Sequence, residues 1–265
     1  MAEICVALLT PFTTSGDVAF DALEMHTQFL IAEGMTSLMP CGTTGEGMLL
    51  APAEVADITA HVARVARGRA RIIAHVGRPS TRETVALAQH SVQIGAAAVS
   101  VVVPYYYKYS DAQLRDHYLA VLGAVHAPVY AYTIPDRTGN LLSATVVREL
   151  AVAGLTGVKD SSKSLALHRE YLACGVEVLM GSDALVLEAL RLGAVGAVSA
   201  IANIEPRLLL ELAGNFARDE ASATQERIVA IRDRTRISTS AIAAMKRELA
   251  DRLPGYPTHM RPPLS

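Results

Sequence analysis

The chain has 265 residues, 51% of them hydrophobic, with a formal charge of −2 and three cysteines. That balance, without a Lys/Arg block, gives no electrostatic case for nucleic acid or an anionic membrane as a partner, and no apolar stretch approaches the roughly 18 residues of a membrane span. The opening Met1-Ala2-Glu3-Ile4 lacks a signal-peptide pattern, and the scattered Cys5, Cys41 and Cys174 form neither a disulfide framework nor a zinc motif, so a reducing cytoplasm is expected.

Short apolar runs alternate with amphipathic stretches along the chain. Strands are predicted at 4–9, 37–40, 71–76, 99–103, 129–132, 155–159, 176–180 and 196–199. Helices are predicted between them near 21–33, 53–67, 81–94, 111–125, 143–152, 164–174 and 183–192. The strands are nearly continuous apolar runs, as expected when a parallel sheet is buried on both faces. Ser80, Ser110 and Ser143 stand where helix caps belong. Eight strand–helix units predict an α/β fold, a (β/α)8 TIM barrel over residues 1–203. A doubly wound dinucleotide fold is disfavoured because its GxGxxG turn is missing. Beyond Ser199 the pattern is purely helical, at 205–217, 220–234 and 239–252, with no linker. Residues 204–265 are therefore read as a C-terminal helical appendage packed on the barrel, the whole forming one unit. Its proline-rich tail from Pro254 is expected to run extended. His26, His61, His90, His117 and His168 fall on predicted helices and are read as solvated, and His75, within the third strand, as a hydrogen-bonded core or mouth residue.

Reacting groups in such barrels sit where strands meet the loops that follow them. Those positions hold Gly42-Thr43-Thr44-Gly45-Glu46, Pro104-Tyr105-Tyr106-Tyr107, Tyr132 with Thr133 to Gly139, Lys159, Gly181-Ser182-Asp183 and Ser199-Ala200. Lys159 is one of four lysines, with Lys108, Lys163 and Lys246, and it ends an apolar run. Burial disfavours an ammonium ion, and a free amine can attack a ketone to form a Schiff base. The bland alternative is a strand-end lysine whose head reaches water. The GTTGE turn can offer backbone N–H groups and two hydroxyls to a carboxylate, or be only a turn. Tyr132, one strand from Lys159, can pass protons during carbinolamine formation and dehydration, or merely cap the core. The planar fork of Arg137 suits a second carboxylate at the mouth; the alternative is a solvated loop arginine.

Together LLTPF (8–12), GTTGE (42–46), PYY (104–106), YTIPDRTG (132–139), GVKDSS (157–162) and GAVGAVSAIANIEP (193–206) give an ordered set of motifs. The set resembles the dihydrodipicolinate synthase/N-acetylneuraminate lyase family of pyruvate-dependent class I aldolases, across roughly residues 4–215. The resemblance implies a (β/α)8 barrel with C-terminal helices, in agreement with the reading of the elements. It implies Lys159 as the Schiff-base lysine, Tyr132 as the acid–base tyrosine and Thr43 as the link to a second tyrosine. That tyrosine matches Tyr106, which in the family reaches into the neighbour's site across a tight dimer interface. Thr43 and Thr44 would hold the pyruvate carboxylate and Arg137 the carboxylate of an aldehyde. Gly181 and Ser199 complete the candidate substrate-binding set. No cofactor or metal is implied, and the partners would be pyruvate, an aldehyde and further copies of the chain in a dimer of dimers.

The departures from the family pattern carry information too. Thr133 follows the tyrosine where many members have Asn. The Arg137-Thr138-Gly139 run favours a dihydrodipicolinate synthase-like pocket over a neuraminate lyase pocket. The chain is shorter than most relatives, with the compression around residues 231–240. Met48, Pro52 and Val55 stand near where lysine-inhibited relatives carry histidines, so weak or absent lysine feedback is expected. The leading reading is condensation of pyruvate with a carboxylated aldehyde such as aspartate semialdehyde. The alternatives are aldol cleavage of a 2-keto-3-deoxy sugar acid and a non-catalytic 2-oxo-acid-binding or regulatory protein.

Overall fold

The computed structural model describes residues 2–237 and 240–264. Eight parallel strands close a barrel in chain order: β1 (Glu3–Ala7), β2 (Ser37–Met39), β3 (Arg71–His75), β4 (Ala98–Val102), β5 (Val129–Thr133), β6 (Gly157–Asp160), β7 (Glu177–Met180) and β8 (Gly196–Ser199). β8 returns to β1 through the register Ile4↔Ala197, Cys5↔Val198. The side chains divide by the period of two that a strand imposes. Cys5, Ala7, Met39, Ile73, Ala98, Tyr130, Leu179 and Val198 fill a compact inner cluster. Their neighbours Ile4, Val6, Leu38, Ile72, Val99, Ala131, Val158 and Val178 join the larger cluster beneath the helices. Both faces are buried, which is why the strands read as apolar runs rather than alternating ones.

The outer helices are α1 (Phe20–Ala32), α2 (Pro52–Ala66), α3 (Thr81–Gln93), α4 (Asp111–Leu122), the single turn α5 (Pro135–Thr138), α6 (Ala144–Val152), α7 (Leu165–Leu172) and α8 (Val186–Leu192). The expected caps form: Ser80 accepts the Glu83 N–H, Ser143 accepts the Val146 N–H, and Ser110 builds a capping box with Gln113. Three helices follow β8: α9 (Pro206–Asn215), α10 (Ala221–Ile237) and α11 (Ala241–Arg252). α9 packs on β1 and α8, and its Arg207 pairs with Glu33 at the end of α1, so it completes the helical ring. α10 and α11 lie over the turns that follow β7 and β8. Gln225 fastens α10 there by accepting the Leu187 N–H and donating to the Asp183 carbonyl, both at 2.9 Å. The C-terminal tail crosses back to the first strand's loop through an antiparallel bridge between His259 and Phe12.

The structure shifts several expected boundaries by one to three residues: α4 ends at Leu122 rather than 125, and α10 runs on to Ile237 rather than 234. β6 begins at Gly157 rather than Leu155, because the Leu155 N–H still closes the end of α6 on the Leu150 carbonyl. The start of the helix expected at 239–252 lies outside the described residues, and α11 begins at Ala241 with Ser240 as its cap. The solvated reading of three helical histidines is corrected. His26, His117 and His168 are buried, at 0%, 4% and 0% exposure, because each lies on the inner face of its helix. His168 donates to Asp160 and His117 is 2.8 Å from the Thr81 hydroxyl. His26 stacks on Phe29 and meets Tyr256 edge-on. None of the described helices is long and apolar enough to cross a membrane.

Candidate active site

The register of two neighbouring strands sets the centre of the site. Tyr132 on β5 pairs directly with Lys159 on β6. A parallel ladder points paired residues to the same face, here the barrel interior near its C-terminal end. Both side chains are buried, at 2% and 4% exposure. The Lys159 amine sits 4.0 Å from the centre of the Tyr132 ring and 3.6 Å from Met39 Sδ. It has no carboxylate partner among the described residues, so it is held by a π face and a soft sulfur instead. On the outer side of the ring the hydroxyls of Tyr132 and Thr43 are 3.3 Å apart.

A second histidine-based support fixes the strand that carries the lysine. Asp160, next in sequence, is fully buried; one of its oxygens accepts from His168 Nδ1 at 3.0 Å and the other from the Ser162 N–H at 2.9 Å. No local pattern announces this partner: His168 looks like any helical histidine, and only tertiary packing brings it to Asp160. His75 is the third buried group around the tyrosine. Its ring meets Tyr132 edge-on at 5.9 Å, and burial followed by the Lys159 charge pushes its pKa down to about 3. It is a neutral wall: its place at the core and mouth is as expected, but the expected hydrogen bond is corrected, because the ring is packed against Tyr132 and its buried Nε2 has no partner among the described residues.

The GTTGE turn is shaped by close backbone contact. A Cβ at Gly47 would fall 1.7 Å from the Cys41 carbonyl oxygen, and one at Gly45 would fall 2.6 Å from that of Leu8. Only glycine fits, and the packing presents Thr43 and Thr44 to a cavity of about 400 Å³. Glu46 closes the turn in the left-handed region, at φ 56°. Its carboxylate takes the Lys246 ammonium from α11 at 2.6 Å and the Arg261 N–H from the tail at 2.9 Å. Lys246 also donates to the His259 carbonyl at 2.7 Å. Lys246 is fully buried, and the sequence reading assigned it no role. Its one signal is a lone lysine between Met245 and Leu249 on the apolar face of a helix.

The cavity is lined by Thr43, Thr44, Tyr132, Arg137 and Gly181, which the structure therefore brings together. Arg137 also borders an adjoining cavity of about 650 Å³ walled by His75, Tyr105 and the tail residues Pro263 and Leu264. Lys159 is not in the lining; its amine lies over the face of the Tyr132 ring, which is. Ser199 is not in the lining either. Its hydroxyl donates to Asp183 and accepts the Ala202 N–H, so within this chain it braces the turn after β8. Asp183 also accepts the N–H groups of Ala200 and Ile201, while burial pushes its pKa up. Tyr106 stands apart, 86% exposed, with a φ of 81° that is uncommon for an aromatic residue. It reaches no group of its own chain's site. The described residues contain no cluster of three or more His, Cys, Asp or Glu side chains that could hold a metal.

Comparison with known proteins agrees with this architecture. The model of the dihydrodipicolinate synthetase family matches residues 1–265. A 4-hydroxy-tetrahydrodipicolinate synthase of Sorangium cellulosum is 38% identical over 267 residues, covering 95% of this chain and 89% of the relative. The crystal structure of dihydrodipicolinate synthase from Aquifex aeolicus superposes with a TM-score of 0.93 at 29% identity, over 100% of this chain and 92% of that one. A chloride-inhibited dihydrodipicolinate synthase from Acinetobacter baumannii, complexed with pyruvate, gives a TM-score of 0.82 at 33% identity, over 85% and 80% of the two chains. The family is one of lyases and synthases, and these matches span the barrel and the C-terminal helices alike. The chain is an enzyme that belongs to the dihydrodipicolinate synthetase family.

Proposed function

We propose that the protein is a Schiff-base-forming, pyruvate-dependent carbon–carbon synthase or lyase that joins pyruvate to a carboxylated aldehyde, as aspartate semialdehyde would be. The observation that carries the reading is the Tyr132–Lys159 register, with the Thr43 hydroxyl 3.3 Å beyond the phenol. The Lys159 amine has no carboxylate to hold it and four rotatable bonds with which to pass the tyrosine ring. Its attack on the pyruvate ketone gives a carbinolamine, and loss of water gives the iminium. Tyr132 supplies the proton that leaves with the water and takes it back at hydrolysis, exchanging it with Thr43. Thr43 and Thr44 receive the pyruvate carboxylate at the N–H groups and hydroxyls of the turn. The iminium withdraws electrons from the neighbouring methyl carbon, which loses a proton and adds to the aldehyde as an enamine. Arg137 is the carboxylate anchor for that aldehyde.

Tyr106 belongs to this reading through a second copy of the chain. Its exposure and positive φ suit a side chain that projects across an interface toward the partner's Thr43, in a dimer of dimers. The second reading, cleavage of a 2-keto-3-deoxy sugar acid, uses the same lysine and tyrosine. Arg137→Ala separates the two: use of a carboxylated aldehyde falls and glyceraldehyde-type acceptors are spared in the first, while both fall equally if Arg137 does not anchor the acceptor.

Incubation with pyruvate and borohydride, followed by peptide mapping, tests the chemistry. A reduced pyruvate adduct on Lys159 supports it. A folded protein with no adduct would sink it.

A further inference from the structure

Pyruvate and Arg137 leave one side of the cavity without a role. That side is built by α10, whose Arg232, Thr235 and Arg236 line the same space as Arg137. Arg232 and Arg236 are four residues apart and share a helix face, an arrangement of like charges that weakens a helix. The carboxylates at hand do not neutralise the group. Arg232 pairs with Asp233 at 2.6 Å, Asp136 pairs with Lys163, and Asp183 is taken by Ser199 and two backbone N–H groups. Arg137 and Arg236 have neither a hydrogen-bond nor an ion-pair partner among the described residues. Partial burial, and then the charge of Arg232, hold the Arg236 guanidinium below its ordinary range; Asp233 and Asp183 act against this without reversing it, and Arg137 adds to the lowering. Two guanidiniums without a hydrogen-bond or ion-pair partner among the described residues, one from a strand-end turn and one from the C-terminal helices, thus face one cavity.

We propose that Arg236 is a second anion-binding arm of the aldehyde subsite, closing with Arg137 on the oxyanion at the end of the acceptor remote from its carbonyl. The proposal rests on the pyruvate reading above and narrows its acceptor to an aldehyde with a terminal carboxylate or phosphate. One fork satisfies a carboxylate in the plane of its two oxygens; two forks from different elements surround an oxyanion and exclude uncharged acceptors more strongly. Arg236 is in this account a specificity residue, since it acts on the far end of the acceptor and not on the reacting carbonyl.

Calorimetric titration of the full-length protein with succinate and with glycerol 3-phosphate, each with and without saturating pyruvate, tests the clamp. The wild type is expected to bind at least one of the two anions, and the tighter one identifies the terminal group. Arg236→Met should weaken that binding by roughly tenfold to a hundredfold, the usual worth of a charged hydrogen bond, with Arg236→Lys intermediate. Arg234→Met is the control, because Arg234 lies outside the cavity and pairs with Glu248. Binding in Arg236→Met within about twofold of wild type, an equal loss in Arg234→Met, or a wild type that binds neither anion would overturn the proposal. The borohydride adduct on Lys159 is expected to form equally in all variants. Loss of the adduct in the wild type defeats the pyruvate reading, whereas the titration without pyruvate reports on the clamp itself.

Discussion

Lys159 and Lys246 are both buried lysines, and their surroundings differ in kind. Lys246 has a carboxylate at 2.6 Å, a carbonyl at 2.7 Å and the Phe12 ring 4.6 Å from its nitrogen. Lys159 has a ring and a thioether and no carboxylate among the described residues. One lysine is committed to holding the GTTGE turn against the C-terminal helices; the other is packed but uncommitted. The difference teaches that burial alone does not mark a reactive amine. On the proposed chemistry, the absence of a fixed anionic partner would mark it, together with a tyrosine in register on the next strand.

Exchanging each lysine for a methionine of similar length breaks this comparison most directly. Lys159→Met should lose at least about 10⁴-fold in turnover, as expected when a nucleophile is removed, and give no borohydride adduct. Its melting temperature should hold or rise, because an apolar chain replaces a buried amine. Residual adduct at another lysine would move the chemistry elsewhere. Lys246→Met should do the reverse. It strands Glu46 in the interior and costs about 3–5 kcal/mol of stability by denaturant unfolding. A double variant with Glu46→Gln should recover much of that loss, and a single-variant loss below about 1 kcal/mol would show that the pair is not a structural brace.

The buried histidines sharpen the same contrast between the barrel centre and the C-terminal wall. His75 stands beside Tyr132, while His26 meets Tyr256 of the tail. Burial lowers their pKa values to about 3 and about 4, from the ordinary 6.5. The folded form therefore refuses protons that the unfolded chain accepts below pH 6.5. Stability is fully present above that pH and falls as pH drops toward 4, by up to roughly 3 kcal/mol for each histidine. Thermal melts across this window should show the fall, and His26→Phe should flatten part of it; an unchanged slope would exclude His26 from the acid response.

Tyr132→Phe carries the smallest expected change. It keeps the ring against Lys159 and removes only the hydroxyl, so the adduct should still form, slower by on the order of 10²-fold. Unchanged rates at every pH would remove Tyr132 from proton transfer and leave it as the ring that shapes the amine's surroundings.

Much of this protein was legible in its residues. Continuous apolar strands alternating with capped helices determine a parallel barrel, because only a sheet buried on both faces tolerates such runs. The strand-end positions then follow from the fold, and with them Thr43, Thr44, Tyr132, Arg137, Lys159 and Gly181. Tertiary structure alone decided the rest. The helical period places His26, His117 and His168 on a face, yet only packing says that the face is inner. Glu46 and Lys246 lie some 200 residues apart, and Asp160 and His168 on different elements, so no local pattern announces either pair. Ser199 sits at a strand end as expected, but the turn after β8 turns its hydroxyl onto Asp183. Arg232 and Arg236 reach the cavity only because α10 is laid over the barrel mouth. Local sequence determines periodicity and chain direction. Long-range burial, which is non-directional and sums over the whole chain, determines which polar groups meet inside.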